Sequence, residues 1–321
     1  DLTRRDLTIN AIARAADGTL IDPHGGARDL AARLLRHVSP AFVEDPVRVL
    51  RVARFAARFA PLGFRIADET LALMRSMVAA GEVDALVPER VWQELARALL
   101  EARPDVFFTS LRACGALAVL LPELDRLWGV PQPARWHPEI DTGEHVMLAL
   151  RCAADAGASL EARYAVLLHD LGKGLTPPHL LPSHPGHEEA GVALVDAVSG
   201  RLRASAACRE LARLATRFHT HVHRVTQLRP ATVLDVLEQA DALRRPERFA
   251  ELLAVCEYDA RGRRGFEQRD YPQRELFTRA LVAARSVVLE PDERQALDGA
   301  AIGARLRERR VAAIAALGLR D

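Results

Sequence analysis

The sequence predicts a mainly α protein, and three observations carry that expectation. Apolar residues recur at the 3.6-residue helical period along most of the chain, Pro and Gly cut the pattern into segments, and strictly alternating stretches are scarce. Only Leu7 to Ala13 and Thr19 to Ile21 look extended, and they flank Asp17-Gly18, a hairpin-type turn. Everything after Asp45 reads as helix. The stretch Trp128 to Pro138, with three prolines, is the best candidate linker, and Arg305 to Leu317 is a last amphipathic segment.

Composition narrows the class. The 321 residues can bury a large core and should divide into two or three units. No run of about 18 uninterrupted apolar residues occurs, so a membrane span is not expected, and no signal peptide is legible. Cys114, Cys152, Cys208 and Cys256 stand far apart with no C-x-x-C pair, which argues against a zinc ribbon or a disulfide framework and fits a reducing cytoplasm. The formal net charge is +1, and nearly all the cations are Arg, with Lys173 the sole lysine. Arg at helical spacing can grip phosphates through its planar fork of donors, but charge alone decides nothing here.

Asp45 followed by Pro46 is a helix-start signal. From that start Arg48, Arg51, Arg54 and Arg58 fall on one face, and Val49, Leu50, Val52, Ala53 and Ala56 on the other. An isolated Arg ladder is more often a solvated cationic face than a site. A carboxylate and a guanidinium side by side can nevertheless read a base edge, the acid accepting from an exocyclic amine and the Arg donating to a ring nitrogen or carbonyl. Such a pair accepts cytosine and adenine and rejects uracil and guanine.

A second constellation is Tyr164 to Gly174, where an apolar helix delivers His169 and Asp170 at its end, and Gly172 and Gly174 are expected to allow the turn that exposes them. An adjacent His and Asp suit a divalent metal if further ligands arrive from other helices. His145, His184, His187, His219, His221, His223 and Asp259 are available. A lone His-Asp pair is usually a helix-end hydrogen bond; the order of the flanking histidines and the Gly-Lys-Gly tail tilt the reading toward a site. His221 and His223 are expected to be surface residues on a polar turn. Trp92, Phe107 and Phe108 lie on periodic apolar faces and read as core.

In this order, Arg4-Arg5-Asp6-Leu7-Thr8-Ile9-Asn10, Ile21-Asp22-Pro23, Arg36-His37-Val38 and Glu44-Asp45-Pro46-x-Arg48-x-Leu50-Arg51 resemble the class II tRNA nucleotidyltransferases, the CCA-adding enzymes. The resemblance implies that Arg5 meets phosphate or ribose, that Asp45 and Arg48 read the base, and that Arg51 and Arg54 help hold the nucleotide. It implies CTP and ATP as nucleotides, tRNA as partner and Mg2+ for nucleotidyl transfer. Those enzymes carry a Gly-Gly-x-x-Arg-Asp loop and an Asp-x-Asp or Glu-x-Asp strand ahead of the Arg-Arg-Asp element, and this sequence has neither ahead of Arg4. With no initiator Met before Asp1, the expectation is an N-terminally truncated chain, unable by itself to add nucleotides.

The His-Asp region resembles the HD superfamily of metal-dependent phosphohydrolases. That likeness implies a metal shell of His145, His169, Asp170 and Asp259, with His169 and Asp170 catalytic and the metal lowering the pKa of a water that attacks phosphorus. Lys173, His187 and His219 are secondary candidates; a lysine after a helix end is equally explained by the carbonyl dipole. Both halves together resemble CCA-adding enzymes with a C-terminal HD domain, which implies 2′,3′-cyclic phosphodiesterase, 2′-nucleotidase and phosphatase activity with a divalent metal such as Ni2+ or Mg2+. The expected division is a short β remnant of the nucleotidyltransferase head with the base-reading neck at 1–60, a helical tRNA-binding neck and body at 61–135, the HD domain at 136–262 and a helical tail at 263–321. A homodimer is left open.

Three rivals remain. A bacterial poly(A) polymerase relative would lack the HD arrangement, a stand-alone HD phosphohydrolase would have no use for Arg5, Asp45 and Arg48, and a non-catalytic RNA-binding module would tolerate loss of His145 and Asp259.

Overall fold

The structure, a computed structural model, describes residues 2–295 and 297–319; Asp1 of the N-terminal motif lies outside them. Its first part is small and irregular. β1 (Ala13–Arg14) and β2 (Leu20–Ile21) pair antiparallel across the Asp17-Gly18 turn, where Asp17 Oδ1 accepts the Thr19 amide at 2.9 Å and Gly18 takes φ +89°. The extended segment expected from Leu7 is shorter than its pattern suggested. Thr8–Asn10 forms a 3-10 turn in which Asn10 Oδ1 accepts the Leu7 amide, and the Thr8 amide crosses to the Arg36 carbonyl instead of continuing a hairpin.

Helix α1 (Gly26–Ala31) starts where the Asp22 carboxylate accepts the Gly26 and Ala27 amides at 2.7 and 2.9 Å. Gly26 is required by closeness, because a Cβ there would lie 2.2 Å from the Thr8 carbonyl oxygen. Buried Asp29 ties the region together, accepting from Thr8 Oγ1 at 2.8 Å and from Arg36 Nε. The expectation of helix alone after Asp45 has one exception: β3 (Leu34–Leu35) pairs in parallel with β4 (Arg65–Ile66).

Helices then take over: α2 (Val47–Phe59), α3 (Asp68–Ala79), α4 (Pro88–Leu99), α5 (Pro104–Cys114), α6 (Ala116–Leu120) and α7 (Pro122–Asp125). Prolines open α4, α5 and α7, where a missing amide hydrogen is no loss. The apolar face of α2, with Val49, Leu50, Val52 and Ala53 fully buried, packs between α4 and α5. Each such branched side chain contributes roughly 1.5–3 kcal/mol by leaving water.

The remaining chain folds as α8 (Thr142–Asp155), α9 (Leu160–Leu168), α10 (His187–Leu202), α11 (Ala206–His223), α12 (Pro230–Gln239), α13 (Pro246–Arg261), α14 (Gln273–Ser286), α15 (Pro291–Gln295) and α16 (Gly299–Ala315). Asp141, Ser159 and Ser205 cap α8, α9 and α11 by accepting amides from the first turn. Helix α9 is the centre, with Tyr164 to Leu168 buried among α8, α11 and α13. The proline-rich stretch from Trp128 does not behave as a free linker. Pro131 bridges to Asp141, and Gln132 is buried and accepts from Lys173. No helix among the described residues is long and apolar enough to cross a membrane.

Candidate metal centre and base-reading helix

The end of α9 sets His169 and Asp170 in the interior. Neither Gly172 nor Gly174 takes a positive φ, so the expected role of turning the chain is not theirs. They serve close approach: a Cβ on Gly172 would lie 2.0 Å from the His187 carbonyl oxygen, and one on Gly174 2.7 Å from Arg126 Cγ. The start of α10 is thereby pressed against the His-Asp turn.

His145, His169, Asp170 and Asp259 converge from α8, the end of α9 and α13. His145 Nε2 lies 3.0 Å from Asp259 Oδ1 and 4.0 Å from Asp170 Oδ2, and His169 Nε2 lies 3.3 Å from Asp170 Oδ2 and 3.8 Å from Asp259 Oδ2. His169 Nδ1 donates to the Val166 carbonyl at 2.8 Å, which turns Nε2 inward toward the two carboxylates. That buried Nε2 makes no hydrogen bond among the described residues. Burial works against charge on His169, Asp170 and Asp259. Even so, neighbouring His169 and Lys173 hold the Asp170 carboxyl well below its usual range, Arg263 foremost does the same for Asp259, and the two carboxylates raise His169.

A second triad shares Asp170. His187 Nδ1 donates to the His184 carbonyl at 2.7 Å, and His219 Nδ1 to those of Ala215 and Thr216 at 3.0 and 3.1 Å. Their Nε2 atoms therefore face each other at 3.3 Å, and both face Asp170 Oδ1, at 3.7 and 3.6 Å. Burial keeps His219 well below the usual imidazole pKa, so its Nε2 lone pair and a carboxylate oxygen with no hydrogen bond among the described residues meet in one buried spot. Such an arrangement is repulsive without a cation. Among the described residues, three groups can each offer ligand atoms within 4.8 Å of one another: His145-His169-Asp170, Asp170-His187-His219 and His137-Glu139-His145. The donor set of imidazoles and carboxylates fits a divalent ion.

Surrounding residues hold this set. Lys173 Nζ donates to Asp170 Oδ2 at 2.7 Å and to Gln132 Oε1 at 2.6 Å, and Arg263 Nη2 donates to Asp259 Oδ1 at 2.9 Å. His184 lies off the cluster, between Thr176 Oγ1 and the Pro131 carbonyl. Three contributors were not expected. His223 is no bystander on a polar turn: its Nε2 lies 2.6 Å from Asp259 Oδ2 and its Nδ1 2.8 Å from the Tyr271 hydroxyl. Its spacing of four from His219, one helical turn on the same face, was the signal. Glu139 Oε1 lies 3.1 Å from His145 Nδ1 and 3.2 Å from His137 Nδ1. Burial pushes His137 down to about 3, which keeps that ring neutral.

In the N-terminal half, Arg5 is exposed ahead of α2. The helix begins at Val47, whose amide donates to Asp45 Oδ1 at 3.2 Å, while Asp45 Oδ2 accepts from Arg90 of α4 at 2.8 Å. Burial opposes that charge, and Arg90 overcomes it, so the carboxyl stays below its usual range. Arg48 donates to the carbonyls of Ala41 and Arg4 and lies 3.5 Å from Asp6; Arg51 donates to Asp6 Oδ2 at 2.8 Å. Asp6 thus joins the Arg-Arg-Asp element to the ladder. Arg54 points elsewhere: only 6% exposed, it is engaged inside the protein by Glu94 at 2.6 Å and Glu101 at 3.5 Å, and there it holds α2 to α4.

A guanidinium-bearing helix behind a small β head, fused to a helical cluster of His and Asp, defines the class: a nucleotidyltransferase joined to an HD phosphohydrolase domain. Residues 1–36 match the poly A polymerase head domain, 63–127 the probable RNA and SrmB-binding site of polymerase A, and 142–259 the HD domain. Along 317 residues the chain is 59% identical to the multifunctional CCA protein of Alkalilimnicola ehrlichii, covering 99% of this chain and 77% of that one. It is 57% identical to that of Pseudomonas aeruginosa PAO1 over 316 residues, 98% and 77% of the two chains. The chain belongs to the multifunctional CCA protein family. Its fold is shared with a CCA-adding enzyme solved with ATP (TM-score 0.63, 20% identity, 98% of this chain and 67% of that one). It is shared too with the Thermotoga maritima CCA-adding enzyme solved with tRNA (TM-score 0.60, 20% identity, 97% and 68%).

Proposed function

We propose that the cluster around Asp170 hydrolyses phosphoesters at RNA 3′ ends, with 2′,3′-cyclic phosphodiesterase, 2′-nucleotidase and phosphatase activity, in a protein whose α2 region reads CTP and ATP for CCA addition to tRNA. The observation that carries the first part is the convergence of His145, His169, Asp170 and Asp259 around the unpartnered His169 Nε2. These four residues would hold a divalent ion such as Ni2+ or Mg2+, with His187 and His219 offering further nitrogens beside Asp170 Oδ1. When bound, the ion supplies a Lewis acid for a phosphoryl oxygen and a water that ionises near neutral pH.

The protein's own groups do the rest. Lys173 and Arg263, each bonded to a carboxylate of the set, place two positive charges beside an incoming phosphate. Backbone carbonyls take the Nδ1 protons of His169, His187 and His219 and so fix all three tautomers. At the other site, Asp45 and Arg48 stand at the start of α2 as the base-reading pair, with Arg5 and Arg51 toward phosphate and ribose. Arg54 serves from the interior through Glu94. The functional division at 1–60, 61–135, 136–262 and 263–321 belongs to this proposal.

His169→Ala should abolish hydrolysis of adenosine 2′,3′-cyclic phosphate, at least about a thousandfold in kcat, on the scale of removing one member of a catalytic unit, and weaken Ni2+ binding in calorimetric titration. Hydrolysis at the wild-type rate would defeat the assignment.

A further inference from the structure

The chain has three tryptophans, and two, Trp92 and Trp128, pack against the core. Trp136 is 44% exposed in the loop ahead of α8. An exposed indole forgoes the burial that makes this residue useful to a fold, so it is informative where the surrounding loop is built to hold it.

The loop is built that way. Arg263 Nη1 donates to the Trp136 carbonyl at 3.3 Å while Nη2 of the same guanidinium donates to Asp259 Oδ1 at 2.9 Å. One guanidinium therefore spans from a carboxylate of the cluster to the tryptophan backbone. The next residue, His137, has its ring 4.6 Å from that of His145. Ile140, a β-branched residue at φ +63°, is held there because its amide donates to the His137 carbonyl and its own carbonyl accepts from Gln132, both at 2.8 Å. A β-branched side chain in the left-handed region is strained, and such strain persists where neighbouring contacts over-determine it. One face of the indole carries the Arg135 guanidinium, 4.3 Å from the ring centroid.

We propose that Trp136, backed by Arg135, is a stacking platform for the nucleobase of the nucleotide whose ribose phosphate enters the cluster. This rests on the phosphoesterase reading and deepens it by naming the residue that selects nucleoside phosphates over simple phosphoesters. Arg263 bonds both the Trp136 backbone and Asp259, so the loop that bears the indole is anchored directly to the cluster. Every base presents a π face, so an indole platform recognises a terminal nucleotide without choosing its identity, as a repair activity on varied ends requires.

The test compares adenosine 2′-monophosphate with glycerol 2-phosphate, two secondary-alcohol monoesters that differ in the nucleoside. Trp136→Ala should raise KM for the nucleotide roughly tenfold, the loss of one base stack, with kcat unchanged and KM for glycerol 2-phosphate unmoved; Trp136→Phe should restore most of the loss. Adenosine 2′-monophosphate should also quench the tryptophan fluorescence of the wild-type protein, and not that of Trp136→Phe. Equal KM changes for both substrates, or none, overturn the platform. Should the wild-type protein hydrolyse neither ester, the phosphoesterase reading falls by itself, and the fluorescence titration still decides the platform: quenching supports it and its absence overturns it.

Discussion

His223 sits at the end of a directed chain of hydrogen bonds. An ionised Asp259 can only accept, so His223 Nε2 carries the ring proton and Nδ1 accepts from Tyr271. The pair locks the orientation of Asp259, whose other oxygen faces His145. His223→Ala should weaken divalent-metal binding about 10- to 100-fold, the usual effect of removing an outer partner of a ligand; Tyr271→Phe should act in the same direction and less. Calorimetric metal titration checks both, and unaltered affinity in His223→Ala would make the residue a bystander. Residue identities were most legible where a local motif framed them, as at His169 and Asp170. His223 and Glu139 were not, because their partners arrive from helices and loops distant in sequence.

For elements, the helix start read at Asp45-Pro46 falls at Val47, and the apolar helix expected to deliver His169 and Asp170 ends at Leu168. The two-residue strands β3 and β4 left no alternation to detect, and their pairing depends on a contact between Leu34 and Arg65 that no local pattern encodes. The loop from Trp128 looked like a spacer because prolines mark irregular backbone, whether it dangles or forms the wall of a site. Gly172 was singled out for the right neighbourhood and the wrong reason: it makes room for α10. Gly172→Ala should cost about 1–3 kcal/mol, as overpacking does, by pushing the start of α10 and His187 away from Asp170. Urea denaturation reads this directly; an unchanged midpoint would mean that α10 slides aside freely.

Across the whole molecule, the two halves do not meet as separate bodies. One continuous hydrophobic core runs from Leu50 through Phe108 to Leu150 and Leu167. Buried Arg163 of α9 reinforces the join by donating to the carbonyls of Leu99 and Glu101 at 2.7 and 3.1 Å. Glu123 of α7 accepts two hydrogen bonds from Arg201 of α10, at 2.8 and 2.6 Å. Burial pushes the Glu123 carboxyl up, and Arg201 outweighs it, so its folded pKa lies below the ordinary 4.5. A depressed carboxylate contributes stability above its unfolded pKa and loses it as pH falls through the folded value. Glu123→Gln should therefore destabilise the protein by about 1 kcal/mol at pH 7, the scale of a partly exposed pair, and the difference should fade as the pH drops below 4.5. A penalty that stayed constant into acid would mean that the charge of Glu123 is irrelevant.

The unbroken interior also constrains how such a chain can evolve. A void opened beneath α5 loosens the support of α8 and its histidine, so a substitution harmful to nucleotide handling lowers the abundance of the hydrolase as well. Neither chemistry can drift alone, and the two are inherited as one mutational target.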